Sequence, residues 1–228
     1  MSEPVDSLLA LATEFSDQLV DLLTRSFDAV PDLTVTPYRE RVVIKTSDDG
    51  VPLTISGNLY GWLRPSFQCR FDHVGHCLAI HKANFWIGSS KTRSPLIRFE
   101  YEYESRTAPH SHIQIHAESG VLSSLLTRAR HTTPHDLSKL HLPTGGSRFR
   151  PNLEDVIQFL IEECRLDHRD TWRAAVNDHR AEWRRVQTRA VARAMPAEAA
   201  RALRELGYKV TPPATGDPEP KPKALTAW

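Results

Sequence analysis

Two adjoining stretches decide the architecture. They are Leu96-Ile97-Arg98-Phe99-Glu100-Tyr101-Glu102-Tyr103 and, after a short link, Pro109-His110-Ser111-His112-Ile113-Gln114-Ile115-His116. Both alternate in character from one residue to the next. A strand sends successive side chains to opposite faces, whereas a helix repeats every 3.6 residues, so both read as half-covered strands. Ile97, Phe99, Tyr101 and Tyr103 share one face, and Arg98, Glu100, Glu102 and Glu104 share the other. In the second stretch Ile113 and Ile115 take the apolar side, while His110, His112, Gln114 and His116 project together. The link suits a hairpin. With the apolar faces together, the imidazoles share a surface with Arg98 and the carboxylates.

The same pattern extends upstream. Leu33–Tyr38, Arg41–Thr46, Val51–Ser56, Leu59–Leu63, Ser66–Phe71, Cys77–Lys82 and Phe85–Ile87 are short β-prone runs between turn signals such as Asp48-Asp49-Gly50 and Gly57-Asn58. Pro65 is expected to interrupt its strand or to place it at an edge. The reading is a meandering antiparallel sheet of about six to eight strands in an α+β fold.

Helices flank this sheet. Residues 5–30 repeat Leu8, Leu11, Phe15, Leu19 and Leu22 at helical spacing, and Pro31 stops the run. Gly120–Arg130 is a short helix, and 131–151 is a loop with an extended piece at Leu137–Leu142. Asn152 and Asp155 have the spacing of a capping box, opening a helix that runs through Cys164. In 168–194, Trp172, Val176, His179, Trp183, Val186, Ala190 and Ala194 form a coiled-coil-like seam. A last helix starts at Pro196 and ends at Gly207. The N-terminal and 152–164 helices are expected to pack on one face of the sheet. The expected organisation is an α+β domain over 1–166, a basic helical extension over 167–208, and a disordered Pro-rich tail over 209–228.

Composition narrows the function classes. The chain has 228 residues, with 29 Lys and Arg against 28 Asp and Glu, so it is neither a uniformly basic nucleic-acid coat nor an acidic solvating protein. Charge is nonetheless segregated. Six carboxylates face one arginine in 3–30, and ten arginines face five carboxylates in 165–204. No apolar run approaches the roughly 20 residues of a membrane span. Met-Ser-Glu-Pro lacks a basic signal-peptide region, and three cysteines are too few for a disulfide scaffold. The expected location is the cytoplasm, with no membrane partner.

Histidine is the unusual component, with 11 residues. Imidazole titrates near neutrality and can transfer protons, attack phosphorus or bind a metal. Neighbouring carboxylates can orient its ring N–H groups, and arginine can clamp a phosphate through two hydrogen bonds. His110, His112 and His116 are therefore the candidate catalytic residues. Arg98 is the candidate phosphate clamp, with Arg148 and Arg150 added because they follow a Gly-Gly turn just before a helix N-terminus. The same side chains also suit an ordinary half-wet strand face.

Three resemblances attach to these residues. His110-Ser-His112-Ile-Gln114-Ile resembles the H-φ-H-φ-Q-φ pattern of the nucleotidyltransferase branch of the histidine-triad superfamily. That likeness implies a nucleophilic role for His112, although Ser111 stands where the family has an apolar residue. Arg98-Phe-Glu100-Tyr101-Glu-Tyr103 followed by Pro109-His110-Ser-His112 resembles the TumE-type toxin components of toxin–antitoxin pairs. It implies a compact domain acting on RNA or a nucleotide through Arg98, His110 and His112. Leu140–Pro151, continuing into Leu153-Glu154-Asp155, is similar to uncharacterised actinobacterial proteins and implies no function.

Other constellations compete. Cys69, His73, His76 and Cys77 crowd four zinc-type ligands into nine residues, but a hairpin there would send the thiols into the core. A metal held by histidines on the sheet remains an alternative, and no cofactor is specified. The basic 168–194 helix suits a protein partner, a homodimer or packing against the acidic N-terminal helix better than direct contact with nucleic acid. His179 is expected to be a packed, hydrogen-bonded histidine. No nucleophile elbow or Gly-rich nucleotide motif is present. Two functions follow: a toxin- or defence-like domain acting on RNA or a nucleotide phosphodiester, or a non-catalytic assembly protein that uses its basic helix and tail.

Overall fold

Period-two alternation holds through the middle of the chain, and there the computed structural model forms an antiparallel sheet. It describes residues 3–47, 49–72, 75, 77–117, 119–144 and 149–216, with side chains from residue 7. Among the described residues are eight strands and five α-helices. The strands are β1 (Leu33–Tyr38), β2 (Arg41–Thr46), β3 (Val51–Ile55), β4 (Asn58–Phe71), β5 (Leu78–Ser89), β6 (Pro95–Glu102), β7 (Ser111–Ile115) and β8 (Leu142–Pro143). Their order is β1-β2-β4-β5-β6-β7-β8, with β3 paired to β4.

β4 and β5 are each one long strand where the sequence reads as two. Pro65 lies inside β4, opposite Phe85. The register to β2 ends at Ser66 and the register to β3 begins at Leu63, so Pro65 sits where β4 changes neighbours. A residue without an N–H is tolerated at that gap, and the expected interruption does not occur.

The helices are α1 (Glu3–Ser26), α2 (Gly120–Arg128), α3 (Leu153–Glu162), α4 (Trp172–Ala194) and α5 (Pro196–Glu205). Both α1 and α3 cover the same face. Phe15 of α1 meets Phe67 of β4 edge-on at 5.2 Å, and Phe159 of α3 meets Phe99 of β6 at 6.1 Å. Leu22, Leu23, Phe27, Ile44, Leu63, Val156, Ile157 and Leu160 fill the core between them. The capping box forms, with the Asn152 side chain accepting from the Asp155 N–H at 2.8 Å and Asp155 accepting from the Asn152 N–H at 3.2 Å.

The chain divides into two compact units, 1–179 and 180–228. The first runs past residue 166 because the start of α4 is part of it. Trp172, Ala175 and Val176 are buried. Arg25 bonds Asp178 at 3.1 Å, Arg169 bonds Asp28 at 2.8 Å, and His179 reaches Asp21 at 3.2 Å. The acidic N-terminal helix thus pairs with the first turns of the arginine-rich helix, and His179 is the hydrogen-bonded residue expected. Further along the seam Trp183 is half-buried and Val186 is exposed. In the second unit Glu182 pairs with Arg185 and Arg189, and α5 ends before Gly207 at φ +89°. The expected tail lies outside the described residues from 217 onward. No helix among the described residues is long and apolar enough to cross a membrane.

Candidate functional site

The face of the sheet opposite α1 and α3 carries the polar half of each alternation. Its register makes two cross-strand rows, Arg64–Trp86–Arg98–Gln114 and Ser66–Asn84–Glu100–His112. Arg98, Glu100, His112 and Gln114 therefore share one surface, as the hairpin reading of 96–116 requires.

His112 is 6% exposed and held at both ends of its ring. Its Nδ1–H donates to the Pro109 carbonyl at 2.9 Å, and Nε2 lies 3.3 Å from Glu100 Oε2. Both oxygens are acceptors, so each ring nitrogen faces an acceptor. This bond is the main influence holding the Glu100 carboxyl below its ordinary value, with Arg98 adding to it. The Asn84 amide supports the other Glu100 oxygen at 3.4 Å. Arg98 donates to Gln114 and lies 3.8 Å from Glu100. Its Nε is buried without a partner among the described residues. Ser111, the departure from the histidine-triad pattern, is buried on the other face, where Thr144 donates to its hydroxyl at 2.7 Å.

Two more imidazoles border this network. β8 pairs with β7, matching Pro143 to His112, and so delivers His141 to the site. The His141 ring stands edge-on to His112, with centroids 4.6 Å apart. Burial pushes the His141 imidazole below its ordinary value, and the neighbouring His112 adds to this. His116 follows β7, and its buried Nε2 has no partner among the described residues. Burial lowers the His116 imidazole too, followed by the charge of Arg98.

Other expected members lie elsewhere. His110 precedes β7 and sits beside Tyr103, with ring centroids 6.2 Å apart. Tyr103 also meets His81 and the Arg70 guanidinium, and Glu104 bonds both Arg70 and His81. His110 thus belongs with that second group at the end of the hairpin. Arg150 is a correction, because it stacks 4.3 Å over the ring of Tyr101, whose side chain is on the core face. The segment entering α3 carries it beneath the sheet, where desolvation lowers its guanidinium, so it cannot share a phosphate with Arg98. Arg148, His73 and His76 lie outside the described residues. Cys69 is buried and its thiol is pushed up to about 12 by desolvation, as befits a core side chain. Among the described residues, no group of three or more His, Cys, Asp or Glu is placed to hold a metal ion.

The site therefore gathers Arg98, Glu100, His112, Gln114, His116 and His141. Asn84 and His141 were not singled out from the sequence as members. The Asn84 signal was its polar phase in β5, and the His141 signal was the alternating Leu140-His141-Leu142. The arrangement can present one neutral and one protonated imidazole beside a guanidinium, which suits proton transfer next to an anion. Comparison with protein-family models, curated proteins and solved structures returned no match for this chain.

Proposed function

We propose that the protein acts on an RNA or nucleotide phosphodiester at the histidine-bearing edge of its sheet, in the manner of a toxin- or defence-like domain. The observation that carries this reading is the clamped His112–Glu100 pair with His141 edge-on to it and the unpartnered His116 Nε2 beside Arg98. His112 is a positioning residue here, since both of its nitrogens are engaged. His141 takes a proton from the attacking hydroxyl, whose oxygen forms the new bond to phosphorus. The bond from phosphorus to the leaving oxygen breaks, and His116 supplies that oxygen with a proton. Arg98 faces the charge that builds on the phosphoryl oxygens.

The test is cleavage of end-labelled single-stranded RNA. His141→Ala and His116→Ala should each slow cleavage by about 10²- to 10⁴-fold, the usual contribution of a positioned acid or base. The pH–rate profile should be bell-shaped with its maximum below neutrality, because both imidazoles lie below their ordinary value of 6.5. Wild-type protein that leaves RNA and nucleotide phosphodiesters intact from pH 5 to 8 removes the reading.

A second reading rests on the 180–228 unit. Arg184 and Arg193 are exposed on α4, with no acidic partner among the described residues. As a non-catalytic assembly protein, the chain would capture a protein partner or a second copy there. Undiminished capture after deletion of 180–228 would count against it.

A further inference from the structure

Further along the cross-strand row that holds Arg98 and Gln114, the outer face opens into a pocket of about 380 Å³. Trp62, Arg64 and Trp86 line it from the sheet, and Ser89, Ser90, Lys91, Thr92 and Arg93 line it from the β5–β6 turn. The floor is tightly built. Trp62 is paired with Gly88 across the strands. A Cβ on Gly88 would fall 1.9 Å from the Trp86 ring, so glycine there lets the indole lie against the backbone. The Arg64 guanidinium sits 4.5 Å from the centre of the Trp86 ring and 5.7 Å from that of Trp62. Gly50, at φ +66°, packs against the stem of Arg64, where a Cβ would come within 2.7 Å of its Cγ. The guanidinium is thereby held over the Trp86 ring and near that of Trp62.

Among the described residues Arg64 has no carboxylate partner, and its buried Nε meets no acceptor. Lys91 and Arg93 add two exposed cations at the rim, and among the described residues no acidic one lines the pocket. Excess positive charge calls for an anion, and the indoles with the guanidinium plane call for a flat aromatic group. Stacking platforms joined to cations are how single-stranded nucleic acid is held without dependence on sequence.

We infer that the Trp62–Arg64–Trp86 pocket binds one nucleotide unit of a single-stranded RNA, stacking its base on the floor and its phosphate against Lys91 and Arg93. The inference deepens the proposed function by giving the substrate class. Trp86 and Gln114 lie two strands apart in one row, roughly 10 Å at about 4.8 Å per strand, so one strand of RNA reaches both places. The two readings rest on different residues and fail separately.

The experiment is anisotropy of a fluorescein-labelled octauridylate with the full chain, alongside tryptophan quenching and competition by inorganic phosphate. Trp62→Leu should weaken binding by about tenfold or more, the order expected for one stacked base. The double variant Lys91→Glu with Arg93→Glu changes only exposed turn residues and avoids any question of folding. It should weaken binding by a similar factor and flatten the salt dependence, as losing phosphate contacts does. Octauridylate that fails to bind, binds the turn variant as tightly as wild type, or is displaced equally by inorganic phosphate and by unlabelled oligonucleotide at matched concentration would overturn the inference. Binding without cleavage would sustain the pocket and remove the catalytic reading, whereas cleavage without dependence on Trp62 or the turn would do the reverse.

Discussion

His112 is held on the outer face by two oxygens and the ring of His141. Removing the Glu100 charge leaves a buried donor facing a neutral group. Glu100→Gln should therefore lower stability by about 1–3 kcal/mol, the range for a stranded charged hydrogen-bond partner, as read by denaturant midpoint. The effect has a defined pH sense. The carboxyl is held below its ordinary value of 4.5 in the folded protein. Its contribution is present above the unfolded value and lost as pH falls through the folded one. The difference between Glu100→Gln and wild type should therefore shrink below about pH 4, and a constant difference would contradict the pairing. At this scale much was legible in the alternation. Residues 96–103 and 110–116 contain the information that Arg98, Glu100, His112 and Gln114 share a face. That His112 has no free nitrogen was not legible, because the Pro109 carbonyl is placed by the chain bend before β7.

Individual elements show how far local signals reach. α3 begins where Asn152 and Asp155 exchange hydrogen bonds, and Asn152 is 6% exposed. Asn152→Ala should cost about 1 kcal/mol, the common value for an N-cap, measured as a lower melting temperature with the helical signal retained. A change below about 0.3 kcal/mol would mean that packing of Leu153 and Val156 alone holds the helix start. β4 teaches the opposite lesson. Proline is a strand breaker by local rules, yet Pro65 lies within a 14-residue strand. The local rule assumes a neighbour on both sides, and the exchange of β2 for β3 at that point is a property of the sheet. β8 is similar, since two residues acquire strand character only by lying along β7. No periodicity can announce so short a strand, and this concealed the arrival of His141.

For the whole molecule, protonation of shifted histidines should govern mild-acid stability. His81, His116 and His141 all have imidazoles lowered chiefly by burial. The unfolded chain then binds protons more readily than the folded one. Stability is full above the ordinary value of 6.5 and declines as pH falls through it. The melting temperature should therefore drop between pH 7 and 5, and replacing His116 with Asn should reduce that drop. An unchanged melting temperature across the interval would contradict the burial of these rings. The two units bear on a separate test. With the core of the first closed by Trp172 and Val176, a chain ending at His179 should unfold in one cooperative transition near the wild-type midpoint. A broad, non-cooperative transition would show that residues after 179 help to hold the first unit together.

The sequence by itself determined the α+β class, the run of antiparallel strands, the helix starts marked by the Asn152 cap and by Pro196, and the phase of the polar face, whereas α1 ends at Ser26, short of the stop expected at Pro31. These depend on neighbours along the chain and on the two periods of regular backbone. The tertiary structure alone decided which polar residues meet. It sent Arg150 beneath the sheet and placed His110 beside Tyr103. It also brought His141 to His112 and set Trp62 and Trp86 around Arg64. The last two depend on register and strand order, through which residues more than twenty positions apart are brought within a few ångströms.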